Sequence, residues 1–262
     1  MRTIGINMHA KKGLSSEDFI KCARDLGFST VFSLPKTPDV MIKNASLLAA
    51  AGMRYETLHA PFKGINTIWQ AGETGDAMLR TLMDCVDMCV EVGAPIAVVH
   101  LSSGDTPPPP TDAGRGRFIR LVDYAQGKRV KIAFENQRKL HNIAWAFEEF
   151  QSTDTVGFCW DCGHESCFTP GRRYMPLFGN RLICTHIHDN SGIYNADEHF
   201  LPFDGQIDYE YVARTIRDSG YTGSLMLEIK GNGARYADLS VEAFLEKAAA
   251  SVKRLRSMID GD

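Results

Sequence analysis

The chain has almost no surplus of charge and no long apolar run, and each lack removes a class of function. Lys and Arg number 29 against 32 Asp and Glu, a formal net charge of −3. No basic excess is therefore left to neutralise a nucleic-acid backbone, and nucleic acid is not the expected partner. No stretch approaches the roughly 18 apolar residues of a membrane span, and no apolar segment follows Met1 and Arg2 as in a secretion signal. The expectation is a cytoplasmic protein without a membrane partner. Cysteine gives no disulfide framework either. Its seven positions (22, 85, 89, 159, 162, 167, 184) are odd in number and lie mostly in apolar patterns, so reduced, buried thiols are expected. Cys159, Cys162 and Cys167 have no second C-x-x-C beside them, which argues against a thiolate metal cluster. No G-x-G-x-x-G follows the first apolar run, and Ser102, Ser103 and Ser166 lack a nucleophile-elbow context. Dinucleotide binding and Ser-His-Asp chemistry both lose their sequence support.

What is present is a repeated sentence. Strand patterns fall at residues 4–9, 30–34, 55–59, 96–100, 130–135, 156–161, 182–188 and 224–228. Helical patterns at 15–26, 38–51, 76–92, 118–125, 142–150, 174–178, 209–219 and 241–258 alternate with them. Gly27, Gly52, Gly93 and Gly220 stop helices just before the next strand. With no linker or shift of composition, the eight alternations predict one domain over 1–262, a (β/α)8 TIM barrel of the α/β class. An open doubly wound sheet is the alternative. Residues 102–116, with four consecutive prolines, predict an extended loop at the site end of the barrel: a lid, a partner surface or a plain spacer.

The chemistry collects at the strand ends. Residues 182–199 read L-I-C-T-H-I-H-D-N-S-G-I-Y-N-A-D-E-H. Strand alternation puts Cys184, His186 and His188 on one face, His188 nearest the strand's C-terminal end and His186 one layer deeper, where a supporting or core role is expected. Other strands end in His59, His100, Glu135, Asp161 (with His164 three residues on) and Glu228, and the loop adds Asp197 and His199. In a barrel these ends converge on one mouth. Several carboxylates there would repel one another unless a cation sat among them, and a divalent metal resolves the conflict. A lone His59 or His100 after an apolar strand is more often a satisfied core or rim histidine. His9 and His141 are read as structural or solvent-facing, and Phe62, Trp69 and Trp160 as an apolar substrate wall or as plain packing.

These residues resemble the xylose isomerase-like TIM-barrel superfamily, which holds sugar phosphate isomerases and epimerases and the family 2 AP endonucleases. The resemblance runs from L-H-A-P (58–61) to L-E-I-K (227–230). Its most specific parts are F-E-N (134–136), W-D-C-G-H (160–164), H-I-H-D-N (186–190) and D-E-H (197–199). For the ketose epimerase branch it implies one divalent ion (Mn2+, Mg2+, Co2+ or Zn2+) held by Glu135, Asp161, His188 and Glu228. Glu135 and Glu228 would be the acid/base pair that moves a proton through a metal-stabilised enediolate, with His164, His59 and His100 near the substrate. That substrate would be a small sugar or sugar phosphate. For the endonuclease branch, the resemblance implies a multi-zinc phosphoesterase with His59, His100, His164, Asp197 and His199 as additional ligands. Two departures bear on the substrate: Tyr194 stands where the epimerase branch has an arginine, and the usual glycine-rich turn reads P-F-D-G (202–205). Non-catalytic sugar binding is a third reading, and a homo-oligomer is compatible with all of them.

Overall fold

Short apolar segments, most of them buried on both faces, have only one economical arrangement: side by side under a helical cover. The computed structural model of the protein, which describes residues 1–261, shows it. The strands are β1 (Ile4–Asn7), β2 (Thr30–Ser33), β3 (Arg54–His59), β4 (Ile96–His100), β5 (Lys131–Glu135), β6 (Val156–Asp161), β7 (Leu182–His186) and β8 (Leu225–Leu227). All are parallel, in the order β7-β6-β5-β4-β3-β2-β1-β8. A parallel bridge between Ile187 and Leu227 joins the two ends, with Ile187 N donating to Met226 O at 2.8 Å and Glu228 N to Ile187 O at 3.0 Å. The result is the expected (β/α)8 barrel. The helices are α1 (Ser16–Asp25), α2 (Pro38–Ala50), α3 (Glu73–Val92), α4 (Asp112–Lys128), α5 (Leu140–Glu149), α6 (Cys162–Phe168), α7 (Met175–Phe178), α8 (Tyr209–Asp218) and α9 (Val241–Asp260). None is long and apolar enough to cross a membrane.

Two layers of core hold this together. The larger lies between strands and helices, with Phe19, Phe118, Phe134, Phe158 and Phe244 fully buried. The smaller, built from Ile96, Val98, Ala133, Cys159 and Cys184, is a separate cluster of buried strand residues. It leaves the C-terminal strand ends as the place for polar groups.

Three details differ from the sequence expectation, each for a local reason. Helix α4 begins at Asp112, inside the stretch read as loop, because the Thr111 side chain accepts from Gly114 N at 3.2 Å and caps it. A Cβ at Gly114 would strike the Trp69 ring, so glycine is what lets this helix start against that buried indole. An additional helix, α6, follows β6 at once, with Asp161 as its cap: Oδ1 accepts from His164 N at 2.6 Å. Strand β7 stops at His186 because the chain changes partners there. Ile187 crosses to β8, and Asp189 pairs antiparallel with Phe200 at 2.9 and 2.8 Å.

Candidate functional site

Each predicted strand-end residue is found at the C-terminal mouth. Glu135, the last residue of β5, is buried at the centre. Its Oε2 lies 2.6 Å from His100 Nε2 and 3.2 Å from His59 Nε2, and its Oε1 lies 2.8 Å from His186 Nδ1. Glu228, just past β8, approaches the same His186 Nδ1 at 3.0 Å. Asp161 faces His188 Nε2 at 3.1 Å, and His199 Nε2 faces Asp197 Oδ2 at 3.0 Å. His164 Nε2 lies 3.7 Å from the same Asp197 oxygen.

These donors form overlapping sets whose ligand atoms lie within 4.8 Å of one another: His59, Glu135 and His186; Asp161, His164 and His188; His188, Asp197 and His199; and Glu135, Asp161, His186 and Glu228. Three of the four residues expected to share an ion, Glu135, Asp161 and Glu228, are thus in one set. The imidazole in that set is His186, and His188 adjoins it through Asp161. His186 is therefore closer to the chemistry than a deeper supporting position suggests. The turn at Ile187 is the cause, since it brings Glu228 against the His186 ring. No cysteine belongs to any such set among the described residues, in keeping with Cys159, Cys162 and Cys167 as ordinary thiols.

The rings are oriented for lone-pair donation. Nδ1 of His59 faces Ala60 O at 2.9 Å, that of His164 faces Asn136 O at 3.1 Å, that of His188 faces Asp189 O at 3.4 Å, and that of His199 faces Glu228 O at 2.8 Å. A ring whose Nδ1 proton goes to a carbonyl turns Nε2 toward the site, and here all four Nε2 atoms face carboxylates. Each such pair needs either a proton or a metal cation between its atoms. The same conclusion follows from the unpaired atoms. Asp161 Oδ2, His186 Nε2, His188 Nε2, Asp197 Oδ1, Glu228 Oε2 and His100 Nδ1 are buried without a hydrogen-bond partner. These groups fit a divalent cation.

Ionisation shows the same demand. Burial alone would lower the pKa of His164, but Asp161, Asp197 and Glu135 outweigh it and push it up to about 10. Burial also works against His186 and His188, yet Glu228 and Glu135 raise the first, and Asp161 and Asp197 raise the second. Burial would raise Glu135, Glu228 and Asp197, yet the surrounding imidazoles hold all three below the usual carboxylate range. His100 is lowered, chiefly by burial. Protons and metal ions compete for these same lone pairs.

Residues outside the predicted ligand set hold it in place. Asn136 mimics a strand neighbour for Asp161, donating to its carbonyl and accepting from its amide, both at 2.8 Å. Gln137 Nε2 spans His100 Nε2 and His164 Nδ1, 3.1 Å from each. Asp189 is spent on the backbone, accepting from Asn190, Gly205 and Ile207 at 2.8, 2.9 and 3.1 Å, so it pins the P-F-D-G loop. Gly163 in W-D-C-G-H admits the His188 ring, which any Cβ there would strike. Asn195, His199 and Phe203 adopt left-handed backbone, a local strain in the segment that delivers Asp197 and His199. The only hint of these roles in the sequence was their proximity to the acidic strand ends. Trp69 and Trp160 are buried and pack, whereas Phe62 is partly exposed and lines the pocket. His9 packs on Phe19, with Nε2 3.2 Å from Ser16 Oγ, away from the site, and His141 is exposed on α5.

The pocket above the set has a volume of about 340 Å3. Residues 20–257 match the family described as xylose isomerase-like TIM barrel. The chain belongs to that family. Solved structures share its whole architecture. A D-psicose 3-epimerase from Clostridium cellulolyticum H10, solved with D-tagatose, superimposes with a TM-score of 0.79 over 99% of each chain at 12% identity. A protein named IolI, solved with a zinc atom, gives 0.79 over 98% of each chain at 16% identity. Among curated sequences, the uncharacterized protein y4fM of Sinorhizobium fredii is 28% identical over 81% of this chain and 77% of its own. At these identities, the structural likeness establishes a common fold.

Proposed function

We propose that the protein is a divalent-metal-dependent sugar or sugar phosphate isomerase or epimerase, with Glu135 and Glu228 as the acid/base pair. One observation carries this reading. Two glutamates, one ending β5 and one just past β8, offer ligand atoms within 4.8 Å of each other and of Asp161 and His186, beside buried carboxylate and imidazole atoms that have no hydrogen-bond partner. The epimerase and zinc-containing relatives of the same fold support it.

Glu135, Asp161, His188 and Glu228 are the proposed holders of the ion. His188 is preferred to His186 because its Nδ1 rests on a backbone carbonyl, whereas the Nδ1 of His186 is engaged between the two glutamates. A bound divalent cation supplies Lewis acidity toward the carbonyl and hydroxyl oxygens of the sugar. One glutamate takes the proton from the carbon beside the carbonyl, and the other returns a proton from its own side. His186 Nδ1 keeps the two carboxylates at a fixed separation. His164 contacts a substrate oxygen, His59 and His100 hold Glu135 in place, and Leu34, Phe62 and Phe168 cover the sugar and exclude water.

The overlapping donor sets around Asp197 and around His59 favour a second reading, a multi-zinc phosphoesterase of the AP endonuclease type using His59, His100, His164, Asp197 and His199 as further ligands. Metal counting combined with two assays separates the readings. The isomerase reading expects one ion per chain and solvent deuterium entering a ketose. Near three zinc ions per chain, with cleavage of abasic duplex and no exchange into any ketose, would replace it.

A further inference from the structure

Arg138 is set into the wall of the pocket in a way its own pairing does not explain. Its side chain is only 19% exposed, and its guanidinium lies 3.6 Å from the centre of the Phe168 ring, which in turn stacks on His164 at 4.6 Å. Only Nε is engaged, donating to Asn195 Oδ1 at 2.9 Å and lying 3.2 Å from Asp105 Oδ1. Neither Nη has a hydrogen-bond partner among the described residues. Asp105 is itself fixed by Tyr194 Oη at 2.7 Å and Asn195 Nδ2 at 3.3 Å, and the proline loop that carries it is tied down where Asn66 and Ser103 exchange hydrogen bonds of 2.8 and 2.9 Å. The arrangement pre-orients a planar cationic fork and leaves its two-pronged side free. Lys230 lines the same pocket, with no ion pair or hydrogen bond to its Nζ among the described residues. The acids in the pocket lining, Asp197 and Glu228, belong to the metal-competent sets.

We infer that Arg138 and Lys230 form an oxyanion subsite, and that the substrate is a sugar carrying a terminal phosphate or carboxylate. The inference rests on the ketose reading and narrows it to charged sugars. Oxyanions are the natural partners of an unoccupied guanidinium fork, and a stacked, half-prepared arginine loses little freedom on binding one. The Asp105 contact occupies the Nε side alone and is solvent-screened, since its carboxylate is 54% exposed.

Calorimetry on the metal-loaded protein tests this without relying on turnover, using ribitol, ribitol 5-phosphate and D-ribonate. The charged polyols, or one of them, should bind at least about 10-fold more tightly than ribitol, as expected for charge-assisted hydrogen bonds. The preferred one identifies phosphate or carboxylate. Arg138→Gln with Lys230→Gln should bring the ratio to within about 2-fold while ribitol affinity stays put, and Arg138→Lys should restore part of it, which also controls for misfolding. Equal affinities in the wild type would overturn the subsite. So would an advantage that survives in the double variant, because the anion would then sit on the metal. A loss shared equally by ribitol and its phosphate would also overturn it, marking Arg138 as a brace. If the charged advantage holds but no ketose or ketose phosphate takes up solvent deuterium, the subsite stands and the isomerase reading falls.

Discussion

The two ends of the barrel bury polar groups on opposite terms. At the N-terminal end Glu56, inside β3, accepts from both the amide and the hydroxyl of Ser224. That hydroxyl also meets Thr3 Oγ1 at 2.7 Å and Thr30 Oγ1 at 3.1 Å. Nearby, Arg181 donates to the carbonyls of Phe150, Thr153 and Val156 at 3.1, 3.3 and 3.1 Å. The groups left unpaired on this side, Ser29 and Thr57, are neutral hydroxyls. At the C-terminal end the unpaired atoms include carboxylate oxygens and imidazole nitrogens beside the hydroxyls of Ser191 and Tyr209, and every unpaired carboxylate or imidazole atom among the described residues belongs to the candidate site. An unpaired ionisable group costs far more than an unpaired hydroxyl. One end is finished by the chain itself, and the other, on the function proposed above, is completed by a bound cation.

The sharpest way to break this contrast is at the two glutamates. Glu135→Gln and Glu228→Gln should each reduce solvent-proton exchange into a ketose by at least about 1,000-fold, within the range expected for lost acid–base catalysis. Circular dichroism should show the fold retained, and wild-type-like exchange in either variant would rule out the pair. Chelation acts on the same end. Removing the ion should abolish exchange and lower the melting temperature by roughly 5–10 °C, the shift expected for a ligand held about 100-fold above its Kd in a chain of this size. Re-addition of Mn2+ or Zn2+ should restore both. A smaller effect is expected one step out. Asn136→Ala removes the clamp on Asp161 and should weaken metal affinity about 10- to 100-fold, measured by competition with a chromogenic chelator. Glu56→Ala is the control from the finished end. It should cost about 1–3 kcal/mol in urea unfolding by stranding the Ser224 amide, with exchange per folded molecule unchanged. A loss of exchange there would mean the two ends are not separate.

Most of the barrel was legible because its signals are local. Gly27, Gly52, Gly93 and Gly220 end helices, and strand interiors such as A-V-V at 97–99 are apolar without interruption. The strand-end residues were legible for the same reason: a carboxylate that closes an apolar run is carried toward the interior and must meet a cation or a donor there. What escaped depends on three-dimensional closure. That His186 meets both glutamates follows from the crossing at Ile187, which no pattern in H-I-H announces. That Thr111 starts a helix beside four prolines depends on Trp69 lying under Gly114. Asn136 and Asp189 stand in the F-E-N and H-I-H-D-N motifs, and only the fold shows that their side chains serve the backbone around the site. Arg138 and Asp105 are far apart in sequence and acquire meaning only when the loops after β4, β5 and β7 come together.

The central claim is that Glu135, Asp161 and Glu228 share a cation, and anomalous diffraction from crystals grown with Zn2+ or Mn2+ addresses it directly. The account predicts a peak about 2.0–2.2 Å from a carboxylate oxygen of each of the three, with His188 Nε2 completing the set. Well-ordered crystals with full metal in the medium and no peak bonded to these oxygens would contradict it.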